Sequence, residues 1–311
     1  MVKEKVAVIL GPTATGKSYC GLELAVQLQA EIISGDSMLV YQGMDIGTAK
    51  PSITELQRVP HHLVDILKPQ ESFNVFDFQK EAKRIITDCN TRGILPIIVG
   101  GTGLYIKALL EGYQFNTVDS DDSLRYKLEK IANEDGNQAL WKKLDQLDPE
   151  VANRLHLNDR RRLIRAIETA LNGESISQEK KTELVYDAVV FGLQMDRQLL
   201  YERINQRVDN MVEQGLFKEV HSLMNKGLDL SVPAMKSIGY KQVVEYYNGE
   251  RTAEETCDKI KQYTRNFAKR QFTWYKKMPY IHWFEVGKER ADYNKAIEEM
   301  KLILEQKFNL L

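Results

Sequence analysis

Short apolar runs alternate with helical spacing through the first third of the chain. Val6-Ala7-Val8-Ile9-Leu10 is followed at once by Gly11-Pro12. A run that is apolar at every position predicts a buried parallel strand ending in a loop. Lys17 to Gln29 then takes helical spacing, with Leu22, Ala25, Val26 and Leu28 available to a core. Glu31-Ile32-Ile33-Ser34 predicts a second strand that ends near Asp36. Phe76 to Asn90 is helical again through Phe78, Ala82, Ile85, Ile86 and Cys89. Leu95-Pro96-Ile97-Ile98-Val99 predicts another buried strand, and a helix through Leu110 follows Gly100-Gly101. Strand and helix in alternation imply an α/β fold whose parallel sheet is covered on both faces.

The pattern changes after about Phe115. Asp121 to about Gly173 reads as polar helices with no convincing buried strand. Asp187 to Leu193 reads as a strand again, and the chain from Gln198 onward is mostly helical, punctuated by Gly227, Pro233, Gly239 and Gly249. These shifts predict a core built from residues 1–117 and 186–311, interrupted by a small all-helical domain at residues 118–185. No internal repeat or low-complexity tract is visible.

Composition adds limits. The chain has 311 residues, 43% hydrophobic and 28% charged, which is ordinary for a globular protein. No apolar run approaches the roughly 20 residues that span a bilayer. Met1-Val2-Lys3-Glu4-Lys5 lacks a signal-peptide pattern. Cys20, Cys89 and Cys257 are odd in number and far apart, and suggest neither a disulfide framework nor a zinc motif. The expectation is a soluble cytoplasmic protein without a membrane partner. A formal net charge of -1 means that any nucleic-acid surface must be a local concentration of positive charge.

Gly11-Pro12-Thr13-Ala14-Thr15-Gly16-Lys17-Ser18 matches G-x-x-x-x-G-K-[ST] at every fixed position. It follows a predicted strand and opens a predicted helix, the context that distinguishes a phosphate loop from a chance turn. Backbone N–H groups of such a loop point at phosphate oxygens, and the helix N-terminus adds partial positive charge. Lys17 supplies a full charge. Thr13 and Thr15 offer hydroxyls, and Ser18 can ligate Mg²⁺, or Mn²⁺, that bridges the phosphates. The motif by itself means nucleotide binding, usually ATP. Yet the strand Ile97-Ile98-Val99 ends in Gly100-Gly101-Thr102-Gly103 rather than in the acidic residue of a typical P-loop NTPase. Asp36 is the carboxylate left near the phosphates, free to serve Mg²⁺ or a reacting nucleophile.

Several blocks together resemble the bacterial tRNA dimethylallyltransferase (tRNA isopentenyltransferase) family. Beyond the phosphate loop they are Ser34-Gly35-Asp36-Ser37-Met38-Leu39-Val40-Tyr41, Met44-Asp45-Ile46-Gly47-Thr48-Ala49-Lys50-Pro51, His61-His62-Leu63-Val64-Asp65, Phe73-Asn74-Val75, Gly100-Gly101-Thr102-Gly103-Leu104-Tyr105, Ser237-Ile238-Gly239-Tyr240 and Thr264-Arg265-Asn266-Phe267-Ala268-Lys269-Arg270-Gln271. The resemblance runs from about Val6 to about Trp283. It implies a P-loop NTPase-like core and transfer of a dimethylallyl group from dimethylallyl diphosphate to N6 of adenosine 37, without ATP hydrolysis. Gly11, Thr13, Ala14, Thr15, Gly16, Lys17 and Ser18 would then hold the diphosphate. By the same resemblance Asp36 is the base toward N6 and Thr102 orients the reacting base. The alternatives are that Asp36 is a partner of Mg²⁺ and that Thr102 caps the following helix. An arginine near Arg203 and Arg207, one helical turn apart, is implied at the diphosphate, and which of the two serves is open.

The RNA side is read in three places. The resemblance sets Asp36, Ser37, Met38 and Leu39 against the tRNA. Asp159, Arg160, Arg161 and Arg162 begin a helix in the insertion, with Asp159 a plausible N-cap and the arginines suited to phosphates or bases. Arg265, Lys269 and Arg270 are interleaved with Phe267, Phe272, Trp274 and Tyr275, a mix that can embrace unpaired bases. The partners expected are therefore the tRNA anticodon stem-loop and dimethylallyl diphosphate, with the enzyme a monomer. The five histidines show no metal spacing and read as structural.

Overall fold

The computed structural model of the chain describes residues 2–115, 122–172 and 183–310. Asp121 and Gly173, and the expected boundary at residues 117–118, lie outside them. The chain divides into two compact units, Met1–Gly112 with Glu183–Leu311, and Tyr113–Thr182.

The first unit opens β1 (Lys5–Leu10), α1 (Lys17–Leu28), β2 (Glu31–Ser34), α2 (Ile53–Arg58), β3 (His61–His62), α3 (Val75–Thr91), β4 (Pro96–Gly100) and α4 (Gly103–Leu110). After the excursion into the second unit it resumes with β5 (Asp187–Gln194), α9 (Arg197–Gln214), α10 (Leu216–Asn225), a 3-10 turn at Pro233–Lys236, α11 (Tyr240–Tyr247), α12 (Ala253–Tyr275), β6 (Ile281–Glu285) and α13 (Arg290–Phe308). The described strands form one six-stranded sheet in the order β3-β2-β4-β1-β5-β6, parallel at every pairing.

The continuous apolar runs are explained by two-sided burial. Val6, Val8 and Leu10 of β1 join one core with Ile33, Ile98 and Val190. Ala7 and Ile9 point the other way, into a second core with Ile97, Phe191 and α13 residues such as Ile297 and Met300. Successive side chains of a strand alternate faces, so a strand covered on both sides must be apolar throughout. β6 was not expected from the sequence. Only Ile281 within it is buried, so this edge strand carries no apolar run to read. β3 spans two residues and α2 six, too short for periodicity.

In the second unit, α5 (Asp122–Glu134), α6 (Asn137–Leu147), α7 (Pro149–Arg154) and α8 (Arg160–Leu171) pack around Leu128, Leu140, Leu144, Val151, Leu163 and Ile167. Glu168, buried in α8, accepts two bonds from the Arg125 guanidinium at 2.7 and 3.1 Å. Asp159 is the N-cap of α8, its side chain accepting from the Arg162 N–H. In the first unit, the N–H of Val185 donates to the carbonyl of Leu110 at 2.9 Å, so the strands of chain leaving and re-entering it are tied side by side. Among the described residues no helix is long and apolar enough to cross a membrane.

Candidate active site

The loop between β1 and α1 is wound through two left-handed residues, Ala14 at φ 67° and Gly16 at φ 88°. Gly16 is required for two reasons. Its backbone is in the region that side chains resist, and a Cβ there would lie 2.4 Å from the Tyr293 ring. Thr15 faces inward, fully buried, and its hydroxyl donates to the carbonyl of Pro12 at 2.8 Å. The hydroxyl expected to serve a phosphate is thus spent inside the loop, holding its turn closed.

Lys17, Ser18, Ala14 and Gly16 share a cavity of about 400 Å³ with Arg203 and Arg207 of α9. Arg203 donates through Nε to the Ala14 carbonyl at 2.9 Å, and its guanidinium lies over the Tyr293 ring, 5.7 Å from the centroid. This braces the strained residue of the loop. Arg207 donates to the Thr48 carbonyl at 3.4 Å. Burial first, and then the charge of Arg207, pull the Lys17 ammonium down to about 8 against the opposing charge of Asp36. Burial also lowers Arg207, again opposed by Asp36. The cavity therefore concentrates positive charge, the condition for gripping a polyanion.

Arg207 also borders a second cavity, of about 360 Å³, walled by Thr13, Asp36, Ser37, Met38 and Thr102. Its apolar wall includes Val208, Met211, Ile238, Ile260 and Phe267. Asp36 follows β2. One of its carboxylate oxygens accepts the Met38 N–H at 2.9 Å. Thr102 occupies the N-cap position of α4 without making a side-chain cap bond. Its Oγ1 instead accepts the Ser37 N–H at 3.1 Å, so the capping alternative gives way to a bond that fixes the loop bearing Asp36. Leu39 faces elsewhere, lining a separate pocket with Ser18.

Known proteins resemble this chain over nearly its whole length. A family model described as IPP transferase matches residues 39–278. A tRNA dimethylallyltransferase of Carboxydothermus hydrogenoformans is 48% identical over 94% of this chain and 95% of its own length. The chain belongs to the tRNA dimethylallyltransferase family. The enzyme of that name from Oceanobacillus iheyensis is 43% identical over 99% of this chain and its whole length. The solved structure of the full-length tRNA isopentenylpyrophosphate transferase of Bacillus halodurans is similar at TM-score 0.74 and 42% identity, covering 99% of this chain and 97% of that one. A eukaryotic dimethylallyltransferase acting on tRNA aligns at TM-score 0.83 and 28% identity, over 98% of this chain and 79% of that one.

In this chain the cations expected at RNA separate into different settings. On α12, Arg270 borders the apolar cavity. Lys269 faces another pocket, over the Tyr201 ring. Arg265 bonds Asn205 of α9 at 2.6 Å and ties the two helices together. On α8, Arg160 is engaged within its own unit by Glu129, Asn133, Asn137 and the Ala132 carbonyl. Its donors are taken by packing, which leaves Arg161 and Arg162 exposed as the outward pair.

Sequence reading missed Glu219. Its carboxylate accepts the N–H groups of Asp45, Ile46 and Gly47 at 3.0, 2.8 and 3.2 Å and the Tyr240 hydroxyl at 2.6 Å. Gly47 and Thr48 line the apolar cavity, so Glu219 moulds its rim from about 170 residues away in sequence. Nothing in a lone glutamate of an amphipathic helix signals this. The fold also gathers Glu31, His62 and Cys89, whose ligand atoms lie within 4.8 Å of one another. Both Glu31 oxygens are held by Arg92 at 2.6 and 3.0 Å, and this pair, with His62, draws the carboxyl down to about 2. Glu31 begins β2, at the opposite end of the strand from Asp36, and the cluster reads as a clasp between β2, β3 and α3.

Proposed function

We propose that this chain transfers a dimethylallyl group from dimethylallyl diphosphate to N6 of adenosine 37 in the tRNA anticodon loop, releasing diphosphate. One observation carries the reading. Arg207 belongs to both cavities, so a group held by the phosphate loop abuts the pocket that holds Asp36 and Thr102.

The steps follow from the charges. The donor's C1–O bond breaks and the electron pair leaves with the diphosphate. Negative charge grows on the leaving oxygens, where the loop N–H groups, Lys17, Arg203 and Arg207 stabilise it. The N6 lone pair forms the new C–N bond, and the proton it sheds passes to Asp36. Thr102 holds the Asp36 loop by its bond to Ser37 and faces the same space. The apolar wall suits the dimethylallyl tail and keeps water from the allylic cation. Ser18 is exposed at the loop, and its hydroxyl has no protein hydrogen-bond partner among the described residues. That suits a hard cation: Ser18 would help hold Mg²⁺, and the ion would supply charge neutralisation at the leaving group.

The adenine must leave the loop stack to reach Asp36, which makes base flipping part of the reaction. The helical unit, through Arg161 and Arg162, is our candidate for a contact with the anticodon stem. The chain acts as a monomer in the cytoplasm on this reading. Mass spectrometry of tRNA incubated with the protein and dimethylallyl diphosphate tests it. A prenyl mass gain at adenosine 37 with no ATP consumed is expected. Unmodified tRNA, or phosphate steadily released from ATP, overturns it.

A further inference from the structure

Gln271 sits where α12 meets the two loops of the candidate site, and it is 5% exposed. Its Oε1 accepts the Thr13 N–H at 2.9 Å. Its Nε2 donates to the Gly101 carbonyl at 2.9 Å. One carboxamide therefore spans the phosphate loop after β1 and the turn after β4. One turn further along α12, the fully buried hydroxyl of Tyr275 lies 3.1 Å from the Gly11 carbonyl and 2.9 Å from the Gly101 carbonyl. The hydroxyl has a single proton, so Gly11 and Gly101 share it, and Gln271 makes the span permanent.

The bridge continues on both sides. Thr13 lines the apolar cavity at the edge of the loop that holds Lys17. Gly101 precedes Thr102, whose N–H donates to the Gly35 carbonyl at 3.2 Å and whose Oγ1 holds Ser37. Asp36 lies between those two partners. A continuous run of hydrogen bonds thus links Thr13 to the Asp36 loop through Gln271. A Cβ on Gly101 would come 2.5 Å from Nε2, so the glycine exists to let the carboxamide this close.

We propose that Gln271 is a positioning residue for prenyl transfer, fixing the spacing between the leaving-group loop and the base. The proposal rests on the function given above. Among side chains of this length, glutamine alone offers an acceptor and a donor at the two ends of one planar group without first binding a proton. Misplacement of reacting groups by about 1 Å costs on the order of 100-fold in rate.

Two variants decide it, each assayed for kcat, for KM of both substrates and for thermal midpoint. Gln271→Met fills the volume and offers neither bond. Its kcat is expected to fall on the order of 100-fold while the protein stays folded and tRNA affinity stays within about threefold of wild type. Gln271→Glu matches the glutamine only when protonated, since the acid then carries both an acceptor and a donor. Its activity relative to wild type is expected to climb at least about tenfold from pH 8 to pH 6, a window reachable because burial raises a carboxyl. A purely packing role gives no such pH rescue. The proposal is overturned by a folded Gln271→Met with kcat within about threefold of wild type, or by a flat pH ratio for Gln271→Glu. Loss of the folded state in both variants assigns Gln271 to the core and overturns it too. Wild-type protein that leaves tRNA unmodified defeats the functional reading itself, an outcome separate from any behaviour of the variants.

Discussion

Lys17 sits in a crowd of positive charge. Its proton affinity is reduced to about 8, by burial first, then by Arg207, with Asp36 in opposition. The unfolded chain keeps this proton up to about 10.4. Between those values the unfolded state binds more protons, so this group makes stability rise with pH there. A bound diphosphate favours the protonated lysine, so affinity runs the other way. We expect the dissociation constant for inorganic pyrophosphate to rise as pH climbs above about 8, approaching tenfold per unit, and Lys17→Met to remove that slope. Isothermal titration across the range checks both. Asp36 faces a different demand, that of taking a proton from N6. Asp36→Asn keeps the volume and the bond to the Met38 N–H, and loses the base. Its kcat should fall by about 10²- to 10⁴-fold with tRNA affinity unchanged in a gel-shift assay. Full turnover by this variant would remove Asp36 from the reaction.

At the scale of elements, the site is a set of loops each held by something distant. Strands β1, β2 and β4 end together because their registers align, Leu10 beside Gly100 and Ser34 beside Val99. Their C-terminal loops therefore meet at one edge, where ligands bind in open α/β sheets. Residues 45–47 are held by the Glu219 carboxylate of α10. Glu219→Ala strips three backbone N–H groups and Tyr240 of their acceptor, and should lower stability by about 2–4 kcal/mol in urea unfolding. It should also raise the KM for tRNA, because Gly47 and Thr48 form part of the apolar cavity. Glu219→Gln, which keeps an acceptor oxygen, is expected to recover much of both. Equal losses in the two variants would show that the negative charge, rather than the acceptor geometry, holds the rim.

For the whole molecule, the helical unit is an excursion from a core that is closed without it. Leu110 and Val185 are hydrogen-bonded within the first unit, and the second unit carries its own apolar core. Replacing residues 113–182 by a short Gly/Ser linker should leave the first unit folded by circular dichroism, because loop length costs little. Pyrophosphate binding should survive. Binding of tRNA should weaken at least about tenfold, with a shallower salt dependence as phosphate contacts are lost. Unchanged tRNA affinity would move RNA recognition to α12 and the residues around Arg270.

Much of this was legible in sequence because the determinants are local or periodic. The strand-loop-helix run through Lys17 is contiguous, and the buried strands are apolar at each position because both faces are covered. The polar stretch after Phe115 reads as helical from its spacing alone. Other features depend on groups far apart in the chain. That Thr15 turns inward, that Arg160 is absorbed by α5 and α6, and that Arg265 and Lys269 face away from Arg270 all follow from packing. Glu219 carries no motif of its own, and Gln271 closes a quoted block without a role that spacing reveals, since an amide or a carboxylate becomes specific only when orphan backbone groups are brought to it. The layered core and the phosphate loop are written locally in the chain, because burial and turn chemistry act over a few residues. Which side chains meet across the site is set by folding alone, because a hydrogen bond is made at about 3 Å and no spacing along the chain encodes that distance.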